Sequence, residues 1–193
     1  MNYLDQFRDK EVVTGLAQRI RTLTAGREKP LTFMEVCGTH TMAIYQYGLR
    51  TLLPPEVRLI SGPGCPVCVT PNGYLDRAIA LCRLPGLIIA TFGDMLRVPG
   101  SSSSLMEERA KGAEVRIVYS PLDAVQIAVK NPGKRVVFLG VGFETTAPTI
   151  AGSILTAKAL GLGNYFVLAS HKTMPQPMAI LSADPELSVD GYL

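Results

Sequence analysis

Short β-branched runs alternate along this chain with stretches of helical spacing, and that alternation leaves few folds open. Strands are expected over 31–36, 57–61, 87–92, 114–119, 135–139 and 165–169. Helices are expected over 11–23, 41–49, 74–83, 105–111, 123–130 and about 147–160, where apolar residues such as Val12, Leu16, Ile20 and Leu23 recur on one face. A strand, a helix and a further strand make a βαβ unit, and such units build parallel sheets covered by helices on both faces. The expected class is therefore α/β: parallel sheets flanked by helices, in two Rossmann-like units. Asn131-Pro132-Gly133 breaks the chain, which predicts a first domain over 1–131 and the start of a second, incomplete one over 132–193. An incomplete unit would leave apolar surface exposed. Residues 101–104, all serine, read as a mobile loop. The run 189–193 resembles the beginning of another strand, as if the sequence were a piece of a longer protein.

Composition narrows the function classes. Of 193 residues, 47% are hydrophobic and 18% charged, which suits a well-buried domain and not a disordered one. The net charge of +3 is spread out, without a Lys/Arg run, so nucleic acid is a poor partner. No apolar stretch reaches the roughly 18 residues of a spanning helix. The first ten residues are mixed and charged, unlike a signal peptide. These features together predict a cytoplasmic protein. In that reducing compartment four cysteines favour metal or redox chemistry over structural disulfides.

In parallel α/β sheets functional groups collect in loops at the carboxyl ends of strands. Cys37-Gly38-Thr39-His40 follows the first expected strand and Gly62-Pro63-Gly64-Cys65-Pro66-Val67-Cys68 the second. Pro66 stiffens the second loop, and Gly62 and Gly64 permit a sharp turn and close backbone approach to a bound group. A Cys-x-x-Cys loop before a helix is predicted to feel that helix's N-terminal positive charge, which favours thiolate. Three readings of these groups stay open. Cys65 and Cys68 cycle between dithiol and disulfide; or they join Cys37 and His40 in a Cys₃His zinc site; or they are small buried residues. Cys37 is also a candidate nucleophile with His40 as its base. Cys82, mid-helix among Ile79, Ala80 and Leu81, reads as core.

Later loops are less specific. Gly140-Val141-Gly142-Phe143-Glu144-Thr145-Thr146 lacks both the lysine of a P-loop and the third glycine of a dinucleotide fingerprint. Glu144 is a candidate proton donor or acceptor, or else a partner to a helix N-terminus. Asp94 and Arg97 are candidates to pair with each other, and His171 lies at the same expected edge.

Taken in order, Met34-Glu35-Val36-Cys37-Gly38-Thr39-His40-Thr41, the Gly62 to Cys68 loop, Thr91-Phe92-Gly93-Asp94-Met95-Leu96-Arg97-Val98-Pro99-Gly100, Val115-Arg116-Ile117-Val118-Tyr119-Ser120-Pro121 and Gly142-Phe143-Glu144-Thr145-Thr146-Ala147-Pro148 resemble the HypD family of hydrogenase maturation factors. The resemblance covers nearly the whole chain. It implies a cytoplasmic scaffold for building the Fe(CN)₂CO group of [NiFe]-hydrogenases, working with the small chaperone HypC and with HypE as the source of cyanide. It implies that Cys37 is an iron ligand and that Cys65 and Cys68 form a redox-active dithiol. Thr39, His40, Gly64, Asp94 and Glu144 fall in its motifs. Family members are about twice this length and carry cysteines for a [4Fe–4S] cluster, a set that does not occur here. The expected role is assembly of a metallocofactor more than conventional turnover. A zinc-binding interaction module and a thiol–disulfide oxidoreductase are the alternatives.

Overall fold

A computed structural model describes residues 9–193. The expectation about the first ten residues falls mostly outside them. The described residues form an α/β fold with two parallel sheets and eight α-helices. None of these helices is long and apolar enough to cross a membrane.

The chain divides into two compact units, one made of the described residues up to Cys65 plus Ala179–Leu193, the other of Pro66–Met178. In the first unit α1 (Lys10–Thr24) is capped by Asp9, whose carboxylate accepts from the backbone N–H groups of Glu11 (2.9 Å) and Val12 (3.2 Å). It ends before Gly26, which supplies the left-handed φ of +77°. Then come β1 (Leu31–Glu35), α2 (Gly38–Gln46), α3 (Leu49–Leu52) and β2 (Val57–Ser61). β1 pairs in parallel with β2 on one side and with β7 (Gly191–Tyr192) on the other. Leu16, Ile20, Phe33, Ile44, Leu53 and Leu59 line an open apolar groove in this unit. Apolar side chains are exposed over 132–193 as well, among them Leu155, Leu160 and Phe166.

The second unit holds α4 (Asn72–Cys82), β3 (Leu87–Thr91), a 3₁₀ turn (Gly93–Arg97), α5 (Leu105–Ala110), β4 (Val115–Ile117), α6 (Pro121–Lys130), β5 (Arg135–Gly142), α7 (Ala147–Ala159) and β6 (Tyr165–His171). Its sheet runs β4-β3-β5-β6, all parallel. β3 is buried throughout, as a strand covered on both faces should be. One core layer gathers Leu75, Ile79, Ile89, Met95 and Leu139; the other gathers Ile88, Val125, Phe138 and Ile150. α8 (Pro175–Ala183) follows β6 and was not expected from the sequence.

Two expectations change. A boundary at Asn131 would cut a sheet, because β3 pairs with β5 across it. The Asn164 amide, moreover, donates to the carbonyls of Ala128 (3.0 Å), Asn131 (3.1 Å) and Lys134 (3.0 Å), tying the turn to β6. The serine run is a pinned loop, not a mobile one. Ser101 donates from its N–H and its hydroxyl to Asp76 (both 2.7 Å), Ser103 donates to Glu108 (2.6 Å), and Ser104 caps α5.

Candidate functional site

Cys37 is where β1 turns into α2, and it occupies the N-cap position with extended φ and ψ of −146° and 122°. Gly38, Thr39 and His40 therefore make the helix's first turn, where backbone N–H groups lack intrahelical partners. The N–H of His40 acts most strongly on the Cys37 sulfur, followed by the N–H and hydroxyl of Thr39. Against partial burial, they hold the thiol's pKa below the ordinary value. Cys37 is a free thiol, half-buried, and so reachable. The His40 side chain is exposed, so the cysteine is served by the histidine's main chain.

The second cysteine loop is laid against the first by its glycines. Gly62 N–H donates to the Glu35 carbonyl (2.8 Å), extending the β1–β2 pairing. A side chain at Gly64 would run into the Val36 carbonyl and stand 2.5 Å from the Cys37 nitrogen. Glycine is thus required by close approach, and Cys65 follows directly. Behind them the fully buried Glu35 carboxylate accepts from Ser61 (3.3 Å) and lies 3.6 Å from the Arg50 guanidinium.

Cys65 and Cys68 are joined as a disulfide. The 66–69 turn is closed by Thr70, whose N–H donates to the Val67 carbonyl (3.1 Å) and whose hydroxyl donates to that of Pro66 (2.8 Å). α4 starts at Asn72, two residues before the expected 74, with Pro71 as its cap. It begins four residues beyond Cys68, whereas Cys37 is itself the N-cap of α2, so the helix-end effect expected for the Cys-x-x-Cys pair falls on Cys37. The four-ligand zinc set is not assembled either. The disulfide occupies two of its thiols, and among the described residues no three His, Cys, Asp or Glu side chains are grouped to hold an ion.

In the second unit Asp94, inside the 3₁₀ turn, accepts from the Met95 N–H (3.0 Å). It forms no ion pair with Arg97 among the described residues. Glu144 accepts from the Met174 N–H (2.8 Å), ahead of α8, and not from Thr145 or Thr146. His171 ends β6 opposite Gly142, with its Nε2 buried and without a partner. Lys172, which sequence reasoning passed over, donates to the Thr70 hydroxyl (2.8 Å) and to the Ser170 carbonyl (2.9 Å) and hydroxyl (3.1 Å). Nothing in the local sequence singles it out, because its Thr70 partner lies 102 positions away.

Residues 11–193 match the HypD family model, described as "Hydrogenase formation hypA family". The chain belongs to the HypD family. It is similar over its whole length to hydrogenase maturation factors HypD of Rhodobacter capsulatus (46% identical, covering 52% of that protein), Escherichia coli (44%, covering 53%) and Azotobacter vinelandii (49%, covering 52%). The chain spans about half the length of these curated relatives. Within this HypD chain the residues present do not fit a [4Fe–4S] cluster. Apart from Cys37, Cys65 and Cys68 the one thiol is Cys82, buried in α4 with its sulfur 3.0 Å from the Ile79 carbonyl. Burial raises its pKa further from thiolate.

Proposed function

We propose that this chain takes part in assembling the Fe(CN)₂CO group of [NiFe]-hydrogenase, as a cytoplasmic scaffold acting with HypC and HypE. The observation that carries the reading is the Cys37 thiol at the N-terminus of α2, free, reachable and favoured as thiolate. A soft thiolate suits iron that carries cyanide and carbonyl. One protein thiolate leaves the remaining iron positions to the small ligands and to a cysteine of HypC. The iron group is cargo, held and passed on.

The Cys65/Cys68 pair serves as a two-electron reservoir. Reduced, it holds two thiols; closing the S–S bond releases two electrons and two protons for reduction of a ligand precursor on the iron. Gly64 supports this reading, because it brings the chain directly before Cys65 against the backbone of Cys37. The exposed His40 is a donor toward a cyanide nitrogen, and the Thr39 hydroxyl helps lower the Cys37 pKa. Asp94 and Glu144 hold loops of the second unit in place.

The test is infrared spectroscopy of the chain purified anaerobically after co-expression with HypC and HypE. Metal-bound cyanide and carbonyl bands are expected with the wild-type chain and absent with Cys37→Ala; bands that survive the substitution remove Cys37 as the ligand. The disulfide also favours a second reading, a thiol–disulfide oxidoreductase acting on protein partners. It predicts catalysed insulin reduction without iron, which the scaffold reading does not.

A further inference from the structure

We infer that Lys172 is a positioning residue for the Cys65/Cys68 couple, its ammonium stabilising the reduced pair from behind the turn that carries Cys68. The inference rests on the redox role proposed for that pair. Lys172 follows β6, and its backbone N–H donates to the Gly142 carbonyl (3.0 Å), which fixes its origin. Its side chain donates to Thr70 and twice to Ser170. Thr70 is buried and holds the Pro66 and Val67 carbonyls, so the ammonium is bonded to the residue that closes the Cys68 turn.

What sets this lysine apart is its missing counter-charge. A lysine on the surface points its ammonium into water. This one is half-buried and shares its protons among neutral oxygens, and none of the ion pairs among the described residues includes it. Burial holds its pKa below the ordinary lysine value, as expected for a cation lacking an anion. A chain that keeps an uncompensated cation at one fixed place gains when a neighbouring group becomes negative.

Reduction of the disulfide supplies that negative charge. Breaking the S–S bond takes up two electrons and two protons to give two thiols. Where one sulfur remains ionised, only one proton is taken up and the charge stays on sulfur. The disulfide is neutral and the thiolate is not, so a cation beside the turn favours the reduced form and raises the potential. Thr70 adds geometry, since the same oxygen that accepts from Lys172 donates to the carbonyl between the two cysteines.

The test equilibrates the 193-residue chain with oxidised and reduced dithiothreitol under anaerobic conditions. The disulfide fraction is read by alkylation and mass spectrometry, with dithiothreitol as electron source. Lys172→Gln, which keeps a donor and loses the charge, is expected to lower the reduction equilibrium constant about threefold to tenfold, up to about 30 mV more negative. Lys172→Met, if it folds, is expected to do the same, and Lys172→Arg to stay within about twofold of wild type. Thr70→Val keeps the ammonium and is expected to give less than half the Gln shift. An equilibrium constant for Lys172→Gln within error of wild type overturns the inference. So does a Thr70→Val shift as large as that of Lys172→Gln, which would assign the effect to turn geometry. A wild-type chain with no titratable couple overturns the redox reading itself, and the inference with it.

Discussion

Replacing Gly64 with alanine tests whether the two cysteine loops are held together by backbone contact. The added methyl would stand 2.5 Å from the Cys37 nitrogen and closer still to the Val36 carbonyl. Ordinary contact needs roughly 3.5 Å, so the loops must part by about 1 Å. Both obstacles are main chain and cannot swing aside as a side chain would. The parting strains the Gly62 N–H bond to the Glu35 carbonyl, 2.8 Å in the wild type. Loss of such a bond costs about 0.5–1.5 kcal/mol, and overpacking a tight site costs about 1–3 kcal/mol. Together these put Gly64→Ala at roughly 2–4 kcal/mol of destabilisation. With a urea dependence of about 1–3 kcal/mol/M, the midpoint should fall by on the order of 1 M. Gly133→Ala is the control, since nothing lies within 4 Å of a side chain placed there; it should stay within about 0.5 kcal/mol. Urea titrations followed by circular dichroism decide the matter. A Gly64→Ala midpoint equal to that of Gly133→Ala would mean that the loops are not in contact.

Other outcomes follow from single groups. Without reductant, iodoacetamide should label Cys37 and spare buried Cys82; after reduction, mass spectrometry should show Cys65 and Cys68 labelled as well. The Arg83 guanidinium (2.8 Å to each carboxylate oxygen), Ser103 and Lys111 hold the Glu108 carboxyl well below the usual carboxylate range. Its folded-state pKa is depressed, so its stabilisation is complete above the ordinary carboxylate pKa and fades as pH falls toward the folded value. Acid unfolding of Glu108→Gln should accordingly differ less from its neutral-pH stability than that of wild type. Ser104→Ala removes the cap of α5 and should cost about 1 kcal/mol, read as a lowered thermal midpoint.

How far the sequence carried depended on whether the signal was local. β2 was legible to the residue, and α7 to within one residue at its C-terminus, because β-branched runs and apolar spacing are read within one window. Cys37 was legible as lying in the loop after the first strand, but its helix was expected to start at 41. A thiol is a rare cap, so Gly38 to His40 did not read as a first turn. The helix-end effect expected for the Cys-x-x-Cys pair belongs to Cys37, which is itself the N-cap of α2, whereas α4 begins at Asn72, four residues beyond Cys68. Ser101 to Ser104 looked mobile because their partners, Asp76 and Glu108, are carboxylates whose approach only the fold creates. The break at Asn131 was a true turn signal read at the wrong scale: a turn inside one sheet carries the same residues as a linker. Lys172 and Asn164 left no trace in pattern, since Thr70 and the Ala128 carbonyl that they bond come from far along the chain.

The proposed role of the Cys37 thiolate is to hold the iron cargo while it is built. The most direct measurement is the infrared spectrum of the anaerobically isolated complex with HypC, for the wild-type chain and for Cys37→Ala side by side. Cyanide and carbonyl bands in the first sample and a flat spectrum in the second are expected. Bands of equal strength in both would rule out Cys37 as the iron ligand.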